Sequence, residues 1–501
     1  MYKNSKLEAF KEYIKGRRCA VIGVGISNRP LITWLAGLGA RVTAFDKLTT
    51  DDPVMSKTIA DFKEAGVELE YSLGEGYLEP LKNEVFDVVF KTPKMRFETE
   101  ELQEAKKKGA VLTSEMELFM NLCPAKLFGI TGSDGKTTTT TLVSEILKKA
   151  RYKVWLGGNI GTPLLDKIGE ITPDDMVVLE LSSFQLLGMR RSCDVAIVTN
   201  ITPNHLDFHT DYQEYIDAKT NIFRYQGPCG TLILNAGCDL TYDMRMISSG
   251  KVRLFTAKED ARTREDASYY DGYYLIDNVL TKVSDGAATQ MFKAEDILIP
   301  GIHNVENFLA AAAATEGYAS IEDIKYVAEH FPGVAHRIEF IREIDGVKWY
   351  NSSIDTSPNR AINTMNALAG RGMKGILICG GADKKCVYDG LGDAILNVSD
   401  KILIYGTNAP FVKDILAKEA NGREYELIEF EGSDKDIYEF PETRDNVVNT
   451  YKAMIAKARE LAKPGQIVIM SSIGTSYDHF RHFEHRGDMF RDLVNDLVPI
   501  D

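Results

Sequence analysis

Short apolar runs recur along the chain. Most end in a glycine or a polar turn, and most are followed by a stretch in which apolar side chains return every three or four positions. Arg18-Cys19-Ala20-Val21-Ile22 leads into Gly23-Val24-Gly25, after which Leu31, Trp34 and Leu35 share one helical face. Arg41 to Phe45, Phe86 to Phe90 and Val111 to Thr113 are further strand-like runs. A second series starts with Lys126 to Ile130, and the helix expected over Thr137 to Ala150 presents Leu142, Ile146 and Leu147. Met176 to Leu179, Val195 to Asn200 and Thr231 to Asn235 continue it, with a helix over Tyr212 to Arg224. Residues 251–299 read as hairpin pieces, with a turn expected at Tyr270-Asp271-Gly272-Tyr273. An Ala-rich helix, Phe308 to Ala314, precedes a third series: Lys348 to Tyr350, Gly375 to Cys379, Lys401 to Tyr405 and Gln466 to Met470. Strands alternating with helices predict an α/β protein built on parallel sheets. Breaks at Cys123-Pro124 and Phe331-Pro332-Gly333 divide it into three expected domains, 1–122, 123–335 and 336–501.

The turn after Ile130 carries the strongest chemistry: Thr131-Gly132-Ser133-Asp134-Gly135-Lys136-Thr137-Thr138. Strand, Gly-rich loop and helix in that order are the context of a phosphate-binding loop. Glycines let backbone amides turn inward around an anion, and the helix N-terminus adds partial positive charge. Lys136 can then reach the outer phosphates, while the Thr137 hydroxyl can hold Mg²⁺. The middle domain is therefore expected to be a P-loop, ATPase-type mononucleotide-binding sheet. Glu180 ends a strand of the same series, where a carboxylate can reach Mg²⁺. The next strand delivers His205 to the same edge.

The first domain opens like a Rossmann unit, with Asp46 about 20 residues after the first glycine, where a dinucleotide-binding carboxylate would sit. Asn28 replaces the third glycine, so a nicotinamide dinucleotide competes with a nucleotide diphosphate or a purely structural turn. The last domain also reads as Rossmann-like, and its strand-end loops Gly380 to Lys384 and Ser471 to Asp478 are of the kind that bind ligands. On chemistry alone Lys219 is a solvated lysine.

Composition narrows the field. A net charge of −14 excludes a broad phosphate-neutralising face, so no nucleic-acid partner is expected, while local basic pockets for small anions stay open. Seven cysteines form no CxxC pair and no zinc spacing. No run of about 18 apolar residues occurs, and the charged N-terminal segment is unlike a leader. A cytoplasmic protein with no membrane insertion, and a monomer, is the expectation.

Taken together the segments resemble the Mur ligase family, over nearly the whole chain and in the family's order. The carriers are Gly129 to Thr138, Gly157-Gly158-Asn159-Ile160-Gly161, Glu180-Leu181-Ser182-Ser183-Phe184-Gln185-Leu186, Asn200 to Asp207, Gly301 to Asn307, His336-Arg337-Ile338-Glu339 and Tyr477 to Gly487. The Glu-Leu-Ser-Ser-Phe-Gln-Leu string and the Phe-Glu-x-Arg-Gly near the C-terminus resemble the branch that joins D-glutamate to UDP-N-acetylmuramoyl-L-alanine in peptidoglycan precursor synthesis. The resemblance implies an ATP-dependent amide ligase working through an acyl phosphate, with two Mg²⁺. It places the first metal on Thr137 and Glu180 and the second on His205, and makes Lys219 a carbamylated lysine that serves as an oxygen ligand. It assigns Gly132, Ser133, Asp134, Gly135, Lys136, Thr137, Thr138, Asn304 and Arg337 to ATP, and Asn159 and His336 to the reacting centre. Gly25, Ile26, Ser27 and Asp46 would hold the uridine diphosphate, with Ser182 and Gln185 on the sugar-alanine portion. Thr356, Lys384, Ser476 and Phe483 would hold D-glutamate.

The chain departs from the branch at Asn28, which stands for a glycine, and in two further segments. Asn351-Ser352-Ser353-Ile354-Asp355-Thr356-Ser357 lacks an acid and a lysine of the usual string, and Lys91-Thr92-Pro93-Lys94 replaces a Ser-Pro-Gly turn. These departures keep alive a Mur-type or folylpolyglutamate-type ligase with another acceptor. Outside that chemistry stand a nicotinamide oxidoreductase and a noncatalytic ATP-gated binding protein.

Overall fold

The computed structural model describes residues 2–499 apart from 26, 206–207, 384–385 and 432–440, with only the backbone at 261–262 and 441–445. The described chain forms two compact units. The first comprises Met1–Lys293 and Glu306–Val327, and the second Ala294–Val305 and Ala328–Asp501.

The first unit holds two sheets. One has five parallel strands: β1 (Arg18–Ile22), β2 (Arg41–Asp46), β3 (Glu70–Leu73), β4 (Val88–Phe90) and β5 (Val111–Thr113), in the order β3-β2-β1-β4-β5. Chain order reverses between β1 and β4, which makes the C-terminal ends of those two strands a switch point. Burial of Cys19, Ala20, Val21, Ile22, Val89 and Phe90 on both faces explains why these strands read as continuous apolar runs.

The other sheet has nine strands: β6 (Lys126–Thr131), β7 (Val154–Gly158), β8 (Met176–Glu180), β9 (Val195–Val198), β10 (Thr231–Asn235), β11 (Lys251–Thr256), β12 (Gly272–Ile276), β13 (Val279–Ser284) and β14 (Ala287–Lys293). Their order is β14-β13-β12-β11-β10-β9-β6-β8-β7, parallel from β7 to β12 and antiparallel beyond. Ile130 of β6 faces Glu180 of β8 and Ile197 of β9 in register. That pairing delivers three strand ends to one edge.

The hairpin turns of this sheet differ from the sequence expectation. Tyr270 to Tyr273 runs into β12, while the chain reverses at Asp277-Asn278, with φ of 49° and 61°, and at Asp285-Gly286, with φ of 51° and 76°. Short polar side chains and glycine tolerate the left-handed region that two-residue hairpins demand. Gly272 instead sits where a Cβ would meet the Leu254 carbonyl at 2.3 Å, so its glycine answers to sheet packing.

The second unit carries a six-stranded sheet of β15 (Glu339–Ile344), β16 (Val347–Ser352), β17 (Gly375–Gly380), β18 (Lys401–Tyr405), β19 (Glu426–Glu429) and β20 (Ile467–Ile473), in the order β15-β16-β20-β17-β18-β19. Among the described strands of this sheet only the β15–β16 pair is antiparallel. Arg486, on the helix Phe483–Asn495, is fully buried here. Its guanidinium donates to the Ser353 Oγ and carbonyl at 3.1 and 3.0 Å and to the carbonyls of Thr475 and Gly474 at 3.1 and 3.2 Å. One side chain therefore clasps the loops after β16 and β20. Arg486→Met strips the Ser353 and Gly474 carbonyls of this donor, while the Thr475 carbonyl keeps the Ala382 amide and the Ser353 hydroxyl keeps the Phe483 carbonyl, and is expected to cost about 3 kcal/mol in chemical denaturation. A loss within about 0.5 kcal/mol of zero would refute the clasp.

Candidate active site

Between β6 and the helix Lys136–Lys149 the chain turns through Gly132, with φ of 146°, and Gly135, with φ of 78°. A Cβ on Gly132 would lie 1.9 Å from the Thr199 Oγ1, and one on Gly135 would lie 2.5 Å from the Asn307 Oδ1. Both conformation and space thus require glycine. Asn200, just past β9, accepts from the Ser133 amide through its carbonyl and from the Asp134 amide through Oδ1, each at 2.9 Å. Ser133 is buried, with its Oγ 2.8 Å from the Tyr215 hydroxyl, while Asp134 is exposed. Thr137 lies half-buried in the first turn of the helix and Thr138 is buried behind it. The first-turn amides of the helix point along its axis toward the loop, where an anion is favoured.

Two lysines meet at this loop. The Lys136 Nζ donates to the carbonyls of Gly132 and Ser133 at 3.0 and 2.9 Å, and the Lys219 Nζ donates to the Gly132 carbonyl at 2.6 Å. Lys219 lies on the helix Tyr212–Thr220, is 2% exposed, and has its ammonium 4.7 Å from the Tyr215 ring centroid. Burial, reinforced by the nearby charge of Lys136, holds its pKa well below the ordinary lysine range. Lys219 is therefore not the solvated lysine its residue type suggested.

Glu180 ends β8 and is 1% exposed. Its Oε1 accepts from the Asn159 Nδ2 at 2.8 Å, and its buried Oε2 has no hydrogen-bond partner among the described residues. Gly158 makes this approach possible, since a Cβ there would lie 2.1 Å from the Glu180 carbonyl. His205 is exposed, takes a left-handed φ of 56°, and has its ring 4.8 Å from that of Phe184. Among the described residues no three His, Cys, Asp or Glu side chains gather as a metal cage. An orphaned carboxylate oxygen beside a phosphate-type loop instead fits Mg²⁺, which takes one or two protein oxygens and completes its shell with phosphates and water. Ser182 and Gln185 bond each other in a capping box, at 3.0 and 3.3 Å, at the start of the Ser183–Leu186 turn.

At the switch point of the first sheet, Asp46 accepts from the amides of Val24 and Leu48 at 2.7 and 3.0 Å. Gly23 supplies the left-handed residue, at φ of 82°, and the Asn28 Nδ2 closes the turn on the carbonyls of Ile22 and Gly23. Gly25 and Ser27 are exposed, and a Cβ on Gly25 would meet nothing within 4 Å. Ile26 lies outside the described residues. Lys91, which the sequence marked only as part of a departure in a turn, comes immediately after β4. It is 3% exposed, its ammonium lies 4.6 Å from the Phe97 ring centroid, and no carboxylate among the described residues comes within ion-pair distance. Burial pushes its pKa down to about 8, against the pull of Glu117 and Glu98.

The second unit groups His336, Asn351 and Phe483. His336 is 7% exposed, its Nδ1 lies 3.2 Å from the Asn351 Nδ2, and its ring meets that of Phe483 edge-on at 6.0 Å. Burial holds its pKa below the usual histidine value. A Cβ on Gly487 would lie 2.1 Å from the His336 Nδ1, which gives the terminal Arg-Gly of the Phe-Glu-x-Arg-Gly string a packing reason. Asp355 is 3% exposed and accepts from the Ser471 hydroxyl at 2.8 Å. Asn304 is buried, its Nδ2 donating to the Pro300 carbonyl at 2.5 Å, and Arg337 leaves a tight turn closed by its amide on Val334. Ser476 is buried, Thr356 is half-buried, and Lys384 lies outside the described residues.

Residues 130–315 match the Mur ligase middle domain. Over 496 residues, 99% of each chain, this sequence is 45% identical to the UDP-N-acetylmuramoylalanine–D-glutamate ligase of Acetivibrio thermocellus. It is 44% identical to the enzyme of the same name from Clostridium perfringens, covering 97% of this chain and 98% of that one. The fold resembles the UDP-N-acetylmuramate-alanine ligase of Thermotoga maritima with a TM-score of 0.53, at 17% identity over 96% and 99% of the two chains. A UDP-N-acetylmuramoyl-L-alanyl-D-glutamate–2,6-diaminopimelate ligase also gives 0.53, at 16% identity over 92% and 93%. The chain belongs to the Mur ligase family.

Lys91 gives this region a pH signature. An unfolded lysine titrates near about 10.4, so between about 8 and that value the unfolded chain binds more protons and stability rises with pH. From about pH 7 to about pH 9.5, wild type should gain about 2 kcal/mol of unfolding free energy relative to Lys91→Met. Parallel pH profiles for the two proteins would show that Lys91 keeps an ordinary pKa.

Proposed function

We propose that the chain is an ATP-dependent amide ligase that adds D-glutamate to UDP-N-acetylmuramoyl-L-alanine in cytoplasmic peptidoglycan precursor synthesis. The carrying observation is the loop at Gly132, where two lysines converge beside the orphaned carboxylate oxygen of Glu180, in a chain similar end to end to ligases of that name. The alanyl carboxylate attacks the γ-phosphorus of ATP and ADP leaves. The amine of D-glutamate then attacks the acyl carbon, phosphate departs, and the amine gives up a proton as the amide forms.

Phosphoryl transfer of this kind needs alignment and charge neutralisation more than covalent help. Lys136 and the first-turn amides hold the outer phosphates. Thr137 and Glu180 would hold one Mg²⁺ and His205 a second, and the ions supply charge neutralisation on the transferring phosphoryl group. Asn159 orients Glu180. Lys219 is assigned as a carbamate: its neutral amine adds to CO₂ and loses one proton. The depressed pKa supplies the reactive form, and a carbamate beside Lys136 replaces repulsion by attraction. Ser182 and Gln185 would open from their mutual bonds to meet the sugar-alanine portion, with Gly25, Ile26, Ser27 and Asp46 on the uridine diphosphate.

In the second unit Asn304 and Arg337 are assigned to ATP, His336 to the reacting centre, and Thr356, Lys384, Ser476 and Phe483 to D-glutamate. We assign the three functional regions to 1–122, 123–335 and 336–501 and take the protein to act as a monomer.

Purified protein given Mg²⁺, ATP, UDP-N-acetylmuramoyl-L-alanine and D-glutamate should release phosphate, and of a panel of amino acids only D-glutamate should support it. Release with another acceptor alone would redirect the assignment. Lys219→Ala should lose at least about a hundredfold in kcat, with acetate restoring part of it. Wild-type turnover in that variant would end the carbamate role.

A further inference from the structure

Behind the loop that carries His205 lies a chain of polar side chains, half-buried at Arg96 and Glu214 and buried at His209 and Ser183. Arg96 forms a two-point pair with Glu214, at 2.5 and 3.0 Å, and donates to the Phe208 carbonyl at 3.3 Å. The Glu214 Oε2 also accepts from the Thr210 amide at 3.0 Å and lies 3.2 Å from the His209 Nδ1. The His209 Nε2 in turn lies 3.0 Å from the Ser183 Oγ. Ser183 and His209 are 2% and 3% exposed, and the His209 ring is walled by those of Phe184, Phe208 and Tyr215.

The proton positions follow from this order. Arg96 holds the Glu214 pKa down to about 2, so that carboxylate is an acceptor only. The His209 Nδ1 must then carry the hydrogen. A neutral imidazole with Nδ1–H accepts at Nε2, so the Ser183 hydroxyl donates to it. Burial lowers the ring's pKa, against the pull of Glu214. Hydroxyl, imidazole and carboxylate stand in the order of a hydrolytic triad, yet the buried hydroxyl has no approach for a substrate carbonyl, so nucleophilic attack is not its role.

What the chain joins is more telling. Glu214 and Lys219 share the helix Tyr212–Thr220, His209 ends the loop of His205, and Ser183 opens the turn that follows Glu180. We propose that Arg96, Glu214, His209 and Ser183 form one positioning chain that holds the elements carrying Lys219, His205 and Glu180 in mutual register for phosphoryl transfer. The inference rests on the ligase reading for its kinetic consequence. Arg96 extends the chain to the segment after β4, so the end of the first sheet is tied to the catalytic edge of the second within one unit.

The test uses the full-length protein. Ser183→Ala removes the last link, and His209→Asn keeps a donor toward Glu214 while losing Ser183. In the phosphate-release assay each single variant should lower kcat about tenfold, and the double variant should be no lower than either. The KM for ATP should stay within about twofold of wild type. Additive losses, or an unchanged kcat in Ser183→Ala with only a lower melting temperature, would overturn the proposal. Nitrogen-15 spectra of histidine-labelled wild type give a readout apart from activity: His209 should resonate as the neutral Nδ1–H tautomer, and an Nε2–H tautomer would overturn the chain. An inactive wild type with the expected tautomer would instead count against the ligase reading.

Discussion

Two ammonium groups converge on one carbonyl oxygen, that of Gly132, and the rest of the active edge is arranged around that meeting. Lys136 arrives from the helix that follows the loop, and Lys219 from the helix Tyr212–Thr220 much further along the chain. Like charges drawn this close, one of them buried, are costly unless a negative group joins them or one loses its proton. The loop therefore favours either a neutral Lys219 or a negative group joining the two lysines. Preorganised charge of this kind stabilises a transferring phosphoryl group without reorganisation during the reaction.

The convergence depends on backbone that only glycine can supply. Gly132 takes its positive φ with Thr199 against its Cα, Gly135 has Asn307 there, and Gly158 has the Glu180 carbonyl. Each contact brings in a different element: the end of β9, the helix Ile302–Ala314 and the end of β8. The same logic governs the second unit, where Gly487 admits His336 and Arg486 gathers two loops through hydrogen bonds to their carbonyls. In both units a motif that looks chemical also has a packing cause. Chemistry and close approach are one requirement at these positions.

Legibility in the sequence followed the range of the forces involved. β6, the loop and its helix were readable because strand periodicity, glycine and an amphipathic face lie within a few residues of one another. Glu180 was readable because parallel strands deliver their C-terminal residues to one edge. The reversal at Asp277-Asn278 was missed in favour of a glycine nearby, although its two short polar residues carry the better hairpin signal. Lys91 was noted only as a departure in a turn, since its burial comes from Phe97 and from a sheet edge that composition does not announce.

The sequence by itself determined the strand and helix series, the phosphate-type loop, the family and the type of residue at each reactive position. Those are local properties, or similarities along the whole chain, and need no distant contact. Tertiary structure alone decided that Lys219 is buried against Gly132, that one oxygen of Glu180 has no partner among the described residues, and that His209 links Glu214 to Ser183. Protonation and hydrogen-bond direction depend on which groups long-range packing brings within about 3 Å and how far it removes them from water, and a linear sequence does not contain those distances.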